Sequence, residues 1–304
     1  RLAIQDLSSN GHQPMISSSS RYIIVFNGEI YNHLELRKRI NEYSQHKMVW
    51  NGLSDTETLL TAIEVFGINR ALEMSIGMFA FALWDEQDQT LLLSRDRAGE
   101  KPLYYGYINN SLVFGSELKA LKKFPNFESE LSQNAMNYYF KYGYIPAPFS
   151  IYENIFKVEP GTFLEFDMAR VSVNDFQKRR YWALEDEVIK STQQFYNNFN
   201  QAEKDLELRI NNAVKSQLIS DVPLGVFLSG GIDSSLVAAL AQKNSDIPIK
   251  TFTIGFENSE YDESEFAEDV AKHLGTNHKK YQVSDLDVLK FIPKLPEIYD
   301  EPFA

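Results

Sequence analysis

One stretch limits this chain more than any other: Val222-Pro223-Leu224-Gly225-Val226-Phe227-Leu228-Ser229-Gly230-Gly231-Ile232-Asp233-Ser234-Ser235. It predicts a buried strand, a tight turn of small residues and a helix that opens near Asp233. The apolar run Val226 to Leu228 suits a central parallel strand, hydrophobic on both faces. Gly230 and Gly231 let the backbone turn sharply and come close to a ligand. Hydroxyls and free N–H groups at a helix start form an anion site, because that end carries partial positive charge. Asp233 inside such a loop would repel phosphate unless a divalent cation intervened, so it reads as a Mg²⁺ ligand. The spacing matches neither the P-loop, which ends in Gly-Lys-Ser/Thr, nor GxGxxG. The plain alternative is a glycine turn capped by Asp233 and Ser234.

With 304 residues, 43% apolar and 24% charged, the chain has room for two ordinary globular domains. Its net charge is −12, and the densest basic cluster, Lys178-Arg179-Arg180, is too short to indicate nucleic acid. No apolar run reaches membrane-spanning length and no signal-peptide pattern opens the sequence, so the expected compartment is the cytoplasm. The five histidines show no metal-ligand spacing, and the absence of cysteine removes disulfides and thiolate chemistry from the residues given. The sequence opens at Arg1 and stops at Ala304 without natural terminal signals, so it reads as an internal piece of a longer protein.

From Arg1 to about Tyr181 the pattern is one of short strands. Tyr22 to Phe26 reads as a strand ending at the turn pair Asn27-Gly28. Tyr31 to Ile40 reads as a helix. Ser54-Asp55-Thr56-Glu57 has capping-box spacing ahead of a second helix marked by Leu59, Leu60, Ile63 and Phe66. Met78 to Trp84 and Leu91 to Ser94 read as buried strands around a polar turn, with further strands at Leu112 to Gly115 and Thr162 to Phe166. Arg95-Asp96-Arg97 with Glu117 reads as a buried ion network. After the polar segment Phe195 to Gln201 the pattern changes to alternating helix and strand. Strands are predicted at 222–228, 250–256 and 279–283, with helices at 234–243 and 264–273, which predicts a doubly wound parallel sheet. The domains are placed at 1–194 and 195–304.

Several stretches in order resemble one family, the glutamine-hydrolysing asparagine synthetases. They include Phe26-Asn27-Gly28-Glu29-Ile30-Tyr31-Asn32, Ser54-Asp55-Thr56-Glu57, Gly77 to Asp85, Ser94-Arg95-Asp96-Arg97, Lys101 to Tyr105, Ser116 to Leu121, Ser229 to Ser235, Phe252 to Phe256 and His273 to His278. The resemblance covers nearly the whole chain. It implies an α+β class II glutamine amidotransferase domain of N-terminal-nucleophile hydrolase fold, a four-layer αββα sandwich. Behind that domain it implies an α/β synthetase domain of the ATP-pyrophosphatase (PP-loop) kind. The implied chemistry is hydrolysis of L-glutamine, channelling of ammonia, and ATP-dependent adenylation of L-aspartate, with release of AMP and pyrophosphate (PPi). By the same resemblance Asn27 and Gly28 form an oxyanion hole, Arg1 grips the glutamine α-carboxylate beside Ile4, and Glu29 and Asp55 hold the α-ammonium. Leu228 and Ile254 would meet adenosine through backbone groups. Ser229, Gly230, Gly231, Ser234 and Ser235 would cradle pyrophosphate, and Asp233 would bind Mg²⁺.

The resemblance also places the nucleophilic cysteine upstream of Arg1 and a second Mg²⁺-binding loop downstream of Ala304, so the stretch alone would be inactive. A homodimer is compatible with it; nucleic acid and membrane partners are not expected. Two other functions compete: the same machinery acting on another carboxylate acceptor, such as a surface polysaccharide or peptide, and a non-catalytic glutaminase-like scaffold.

Overall fold

The computed structural model describes residues 4–44, 48–109, 111–128, 130–170, 176–192, 195–257 and 262–303. Two compact units emerge, one of residues 1–194 together with 299–304, the other of residues 195–298.

In the first unit the elements follow as β1 (Met15–Ile16), β2 (Tyr22–Ile30), α1 (His33–Tyr43), α2 (Asp55–Phe66), α3 (Ile68–Met74), β3 (Gly77–Asp85) and β4 (Thr90–Arg95). Then come β5 (Tyr104–Ile108), β6 (Ser111–Gly115), α4 (Leu118–Leu121), α5 (Gln133–Tyr142), β7 (Ile155–Lys157), β8 (Thr162–Asp167), β9 (Phe176–Arg180) and α6 (Leu184–Ser191). Six strands form an antiparallel sheet in the order β1-β2-β3-β4-β8-β9, and three form another in the order β6-β5-β7. Period-two alternation sorts the side chains. Phe26, Ile30, Phe79 and Phe81 join Leu36, Leu59 and Ile63 in a core between the large sheet and α1–α3. Ala80, Ala82, Leu93 and Leu164 pack with Leu103 and Tyr105 between the sheets. On the other side of the small sheet, Tyr104, Val113 and Ile155 meet Leu118 and Leu121 of α4. Together these cores make the αββα layering that the resemblance implies.

The Asn27-Gly28 pair is not a turn. β2 runs straight through it, pairing Asn27 with Ala80 and Gly28 with Phe79. Nine-residue pairing with the apolar β3 outweighs the local turn preference. The capping box at Ser54 is also absent in that form. Ser54 caps Thr56 N–H, but the Glu57 carboxylate accepts from Asn51 and Gly52 N–H and pairs with Arg37.

The second unit comprises α7 (Phe199–Ser216), β10 (Gly225–Phe227), α8 (Ile232–Lys243), β11 (Lys250–Phe256), α9 (Ser264–Leu274), β12 (Asn277–Val283), α10 (Asp285–Phe291) and α11 (Leu295–Ile298). Its strands are parallel, in the order β10-β11-β12 with helical crossovers. Among the described residues β10 is an edge strand, with Phe227 80% exposed, rather than the central one its composition predicts. No helix of the described residues is long and apolar enough to cross a membrane.

Candidate active site

The first unit holds a cleft of about 810 Å³, with Ile4, Asn27, Gly28 and Glu29 on one side and Ser116 and Glu117 among the residues opposite. Strand β2 builds it. Successive side chains point to opposite faces, so Asn27 and Glu29 leave the sheet together while Phe26 and Ile30 anchor the strand in the core. Gly28 has φ +152°, and a Cβ there would lie 2.1 Å from the Met78 carbonyl oxygen, so only glycine lets the strands approach this closely. Asn27 Nδ2 donates to Ser116 Oγ at 3.1 Å, which fixes the amide and leaves its second N–H for a ligand. Glu29 is 6% exposed at the cleft wall. Phe26 N–H donates to the Oε1 of Gln13, a further lining residue, at 2.7 Å.

Asp55 does not line this cleft. It is 2% exposed, and its carboxylate accepts from Ile30 N–H at 2.8 Å and Thr56 N–H at 2.7 Å, tying α2 to the end of β2. Arg1 lies outside the described residues.

The network expected around Arg95-Asp96-Arg97 is built from backbone bonds instead of ion pairs. Asp96 is wholly buried and accepts from the N–H groups of Phe79, Ala98, Glu100 and Lys101. Arg95 donates to the carbonyls of Gly99, Lys101 and Val158, and Arg97 to those of Glu73 and Ser75. Burial holds the Arg95 guanidinium below its usual range. These bonds shape the loop that presents Glu100 and Lys101 to the cleft. Glu117 pairs with Lys119 at the surface.

In the second unit, the loop from Leu228 to Ser235 leaves β10 and enters α8. Leu228 is buried and locked by its own N–H to Phe252 O at 2.9 Å, while Thr253 Oγ1 donates to its carbonyl. Gly230 has φ +82°, with a virtual Cβ 2.7 Å from Phe266 Cβ, so α9 crowds the turn to glycine. Ser229 Oγ and Ser234 Oγ bond at 2.9 Å, and Ser234 Oγ also accepts from Ser229 N–H. Gly231 is the N-cap of α8 and offers no side-chain cap. The helix start therefore faces outward, with Ser229, Gly231 and Asp233 exposed around it. Ile254 is 53% exposed on β11. Among the described residues no three His, Cys, Asp or Glu side chains gather as a metal cage. Asp233 lies exposed in the first turn of α8.

Sequence reasoning named Asn27, Gly28, Glu29 and the loop residues, and the structure gathers each set within its own unit. It overlooked Gln13 and the contact of Ser116 with Asn27, since these partners are too distant in sequence to leave a periodic signal.

Residues 1–182 match the glutamine amidotransferase domain family and residues 205–304 match asparagine synthase. A relative from Methanocaldococcus jannaschii bearing the name of a glutamine-hydrolysing asparagine synthetase 2 is 37% identical, over all of this chain and 59% of its own length. Glutamine-hydrolysing asparagine synthetase 1 of Bacillus subtilis is 34% identical over all of this chain and 45% of its own. The chain thus spans about half the length of the curated relatives it matches. A solved glutamine phosphoribosylpyrophosphate amidotransferase from B. subtilis, complexed with ADP and GMP, covers 91% of this chain and 65% of its own at TM-score 0.43 and 14% identity. With an amidotransferase domain followed by an asparagine synthase domain, the chain belongs to the glutamine-hydrolysing asparagine synthetase family.

Proposed function

We propose that the complete protein makes asparagine from aspartate, with glutamine as nitrogen donor and ATP as activator. The observation that carries this is the pairing, in one chain, of an Asn27–Gly28–Glu29 cleft with a Ser229–Ser234 anion loop at a helix start. In the cleft, attack on the glutamine amide places negative charge on its carbonyl oxygen. The second Asn27 N–H and the Gly28 N–H would receive that charge. Glu29 would hold the substrate ammonium, with Asp55 fixing the strand end behind it and Arg1 binding the α-carboxylate.

In the second unit, Ser229, Gly230, Gly231, Ser234 and Ser235 would bind the pyrophosphate part of ATP against the α8 start. Leu228 and Ile254 would meet adenosine at the strand ends. Asp233 would help hold Mg²⁺, which when bound neutralises phosphate charge. The acceptor carboxylate attacks the α-phosphorus, pyrophosphate leaves, and ammonia then displaces AMP.

The test follows PPi release by the complete protein with ATP, Mg²⁺ and ammonium, with and without aspartate. Aspartate-dependent PPi is expected. PPi that responds to a different carboxylate instead would leave the ligase and reassign the acceptor, and none with any carboxylate would overturn the reading.

A further inference from the structure

The polypeptide of the second unit ends with α11 at Ile298, and the next residues, Tyr299 to Phe303, group with the first unit. Two carboxylates arrive at once. Asp300 accepts from Leu118 N–H at 2.7 Å and from Lys119 N–H at 3.1 Å, capping α4, whose own N-cap residue Glu117 makes no side-chain cap. Glu301 accepts from Ile151 N–H at 2.8 Å and Tyr104 OH at 3.4 Å, and pairs with Lys157 Nζ at 2.5 Å. Both members of that pair are nearly buried, at 11% and 13% side-chain exposure. Burial pulls the Lys157 amine down and pushes the Tyr104 phenol up.

These contacts bracket one wall of the cleft. Tyr104 is paired in register with Gly115, so Glu301 fixes the strand opposite Gly115. Asp300 fixes the turn of α4 just after Glu117. Between the two anchors lie Gly115, Ser116 and Glu117, all lining the cleft, and Ser116 Oγ accepts from the Asn27 amide. The orientation of that amide therefore depends on two carboxylates about which the glutamine-site motifs carry no information.

We propose that Asp300 and Glu301 are positioning residues for glutamine hydrolysis, acting through α4 and Ser116 on the Asn27 amide. The inference rests on the reading of the cleft as the glutamine site. Because the amide serves the transition state more than the bound substrate, misplacing it lowers kcat and leaves KM in place.

The test is a double-mutant cycle in the complete protein. Glutaminase kcat and KM are measured for Asp300→Ala, Asp300→Asn, Asn27→Ala and the Asn27→Ala, Asp300→Ala double variant, with ammonia-driven PPi release alongside. Asp300→Ala should lower glutaminase kcat about tenfold, the scale of one lost charge-assisted hydrogen bond. KM and the ammonia-driven rate should stay within about twofold. The isosteric Asp300→Asn keeps one acceptor and should fall between. In the Asn27→Ala background, removing Asp300 should cost less than about twofold, since the amide it positions is gone. A full additive loss in that background overturns the proposal, as does an equal loss with both nitrogen sources. A wild-type protein that turns over ammonia but no glutamine overturns the reading of the cleft along with it.

Discussion

At Asn27 and Gly28 two residues with strong turn preference sit inside a strand, and each is retained there for its own chemistry. Gly28 lacks the Cβ that would otherwise strike the Met78 carbonyl, and Asn27 carries an amide aimed across the cleft at Ser116. Asn27→Ala should lower glutaminase kcat by about 10²–10³, the usual cost of one oxyanion donor, while ammonia-driven synthesis persists. Ser116→Ala leaves the donor in place and only frees its orientation. Its glutaminase kcat should fall by roughly tenfold, and an effect larger than that of Asn27→Ala would contradict the order of the two roles. The Asn27-Gly28 pair was legible because a dipeptide motif carries it. Ser116 belongs to a legible stretch too, but its role depends on a contact with Asn27, 89 positions away in the sequence. No local pattern encodes that contact.

At the scale of elements, buried acids hold this fold by accepting backbone N–H groups, and that is where sequence spacing misled. Glu57 has the position of a capping-box partner, yet its carboxylate accepts from the Asn51 and Gly52 N–H groups and pairs with Arg37. Asp96 serves four backbone donors with two oxygens. Asp96→Asn would turn an NH₂ toward donors, so unfolding should require about 3 kcal/mol less, measured by urea titration at unchanged slope. Arg21 and Asp85 join the start of β2 to the end of β3 at 2.7 Å, with the Asp85 side chain 6% exposed. Burial by itself would raise the Asp85 carboxyl, but the Arg21 hydrogen bond and the N–H groups of Asp88 and Gln87 outweigh it, and the group sits below its ordinary value. Its folded-state affinity for protons is therefore weaker than in the unfolded chain. The stabilisation is fully present above the unfolded pKa of about 3.9 and disappears as pH falls through the lower folded value. Arg21→Ala should cost about 2 kcal/mol at pH 7 and much less near pH 2, whereas a pH-independent loss would mean that Arg21 contributes only packing. Strands were the most legible elements, since β3, β4, β8 and β11 are apolar runs whose ends coincide with turn residues. The short β10 was legible in position, inside the predicted stretch 222–228.

On the scale of the whole molecule, each unit holds its own candidate site in hydrogen bonds of its own residues. The Asn27 cleft draws its walls from β2, β3 and the segment leading into α4, and the Ser229 loop draws its own from β10, β11, α8 and α9. Among the described residues, the hydrogen bonds given for each candidate site join residues of one unit. Removing charge at one site should therefore leave chemistry at the other intact. Asp233 is exposed at the first turn of α8, so Asp233→Asn changes one charge without opening a cavity or stranding a buried group. If Asp233 serves Mg²⁺ and the phosphates, the complete protein carrying Asp233→Asn should lose PPi release by at least about 10² while hydrolysing glutamine within about twofold of wild type. Raising Mg²⁺ should recover part of the lost PPi, since a weakened ligand set binds the ion with lower affinity and not with altered geometry. Parallel collapse of both activities would show that Asp233 supports the fold of the whole protein, and the two-site assignment would fall with it.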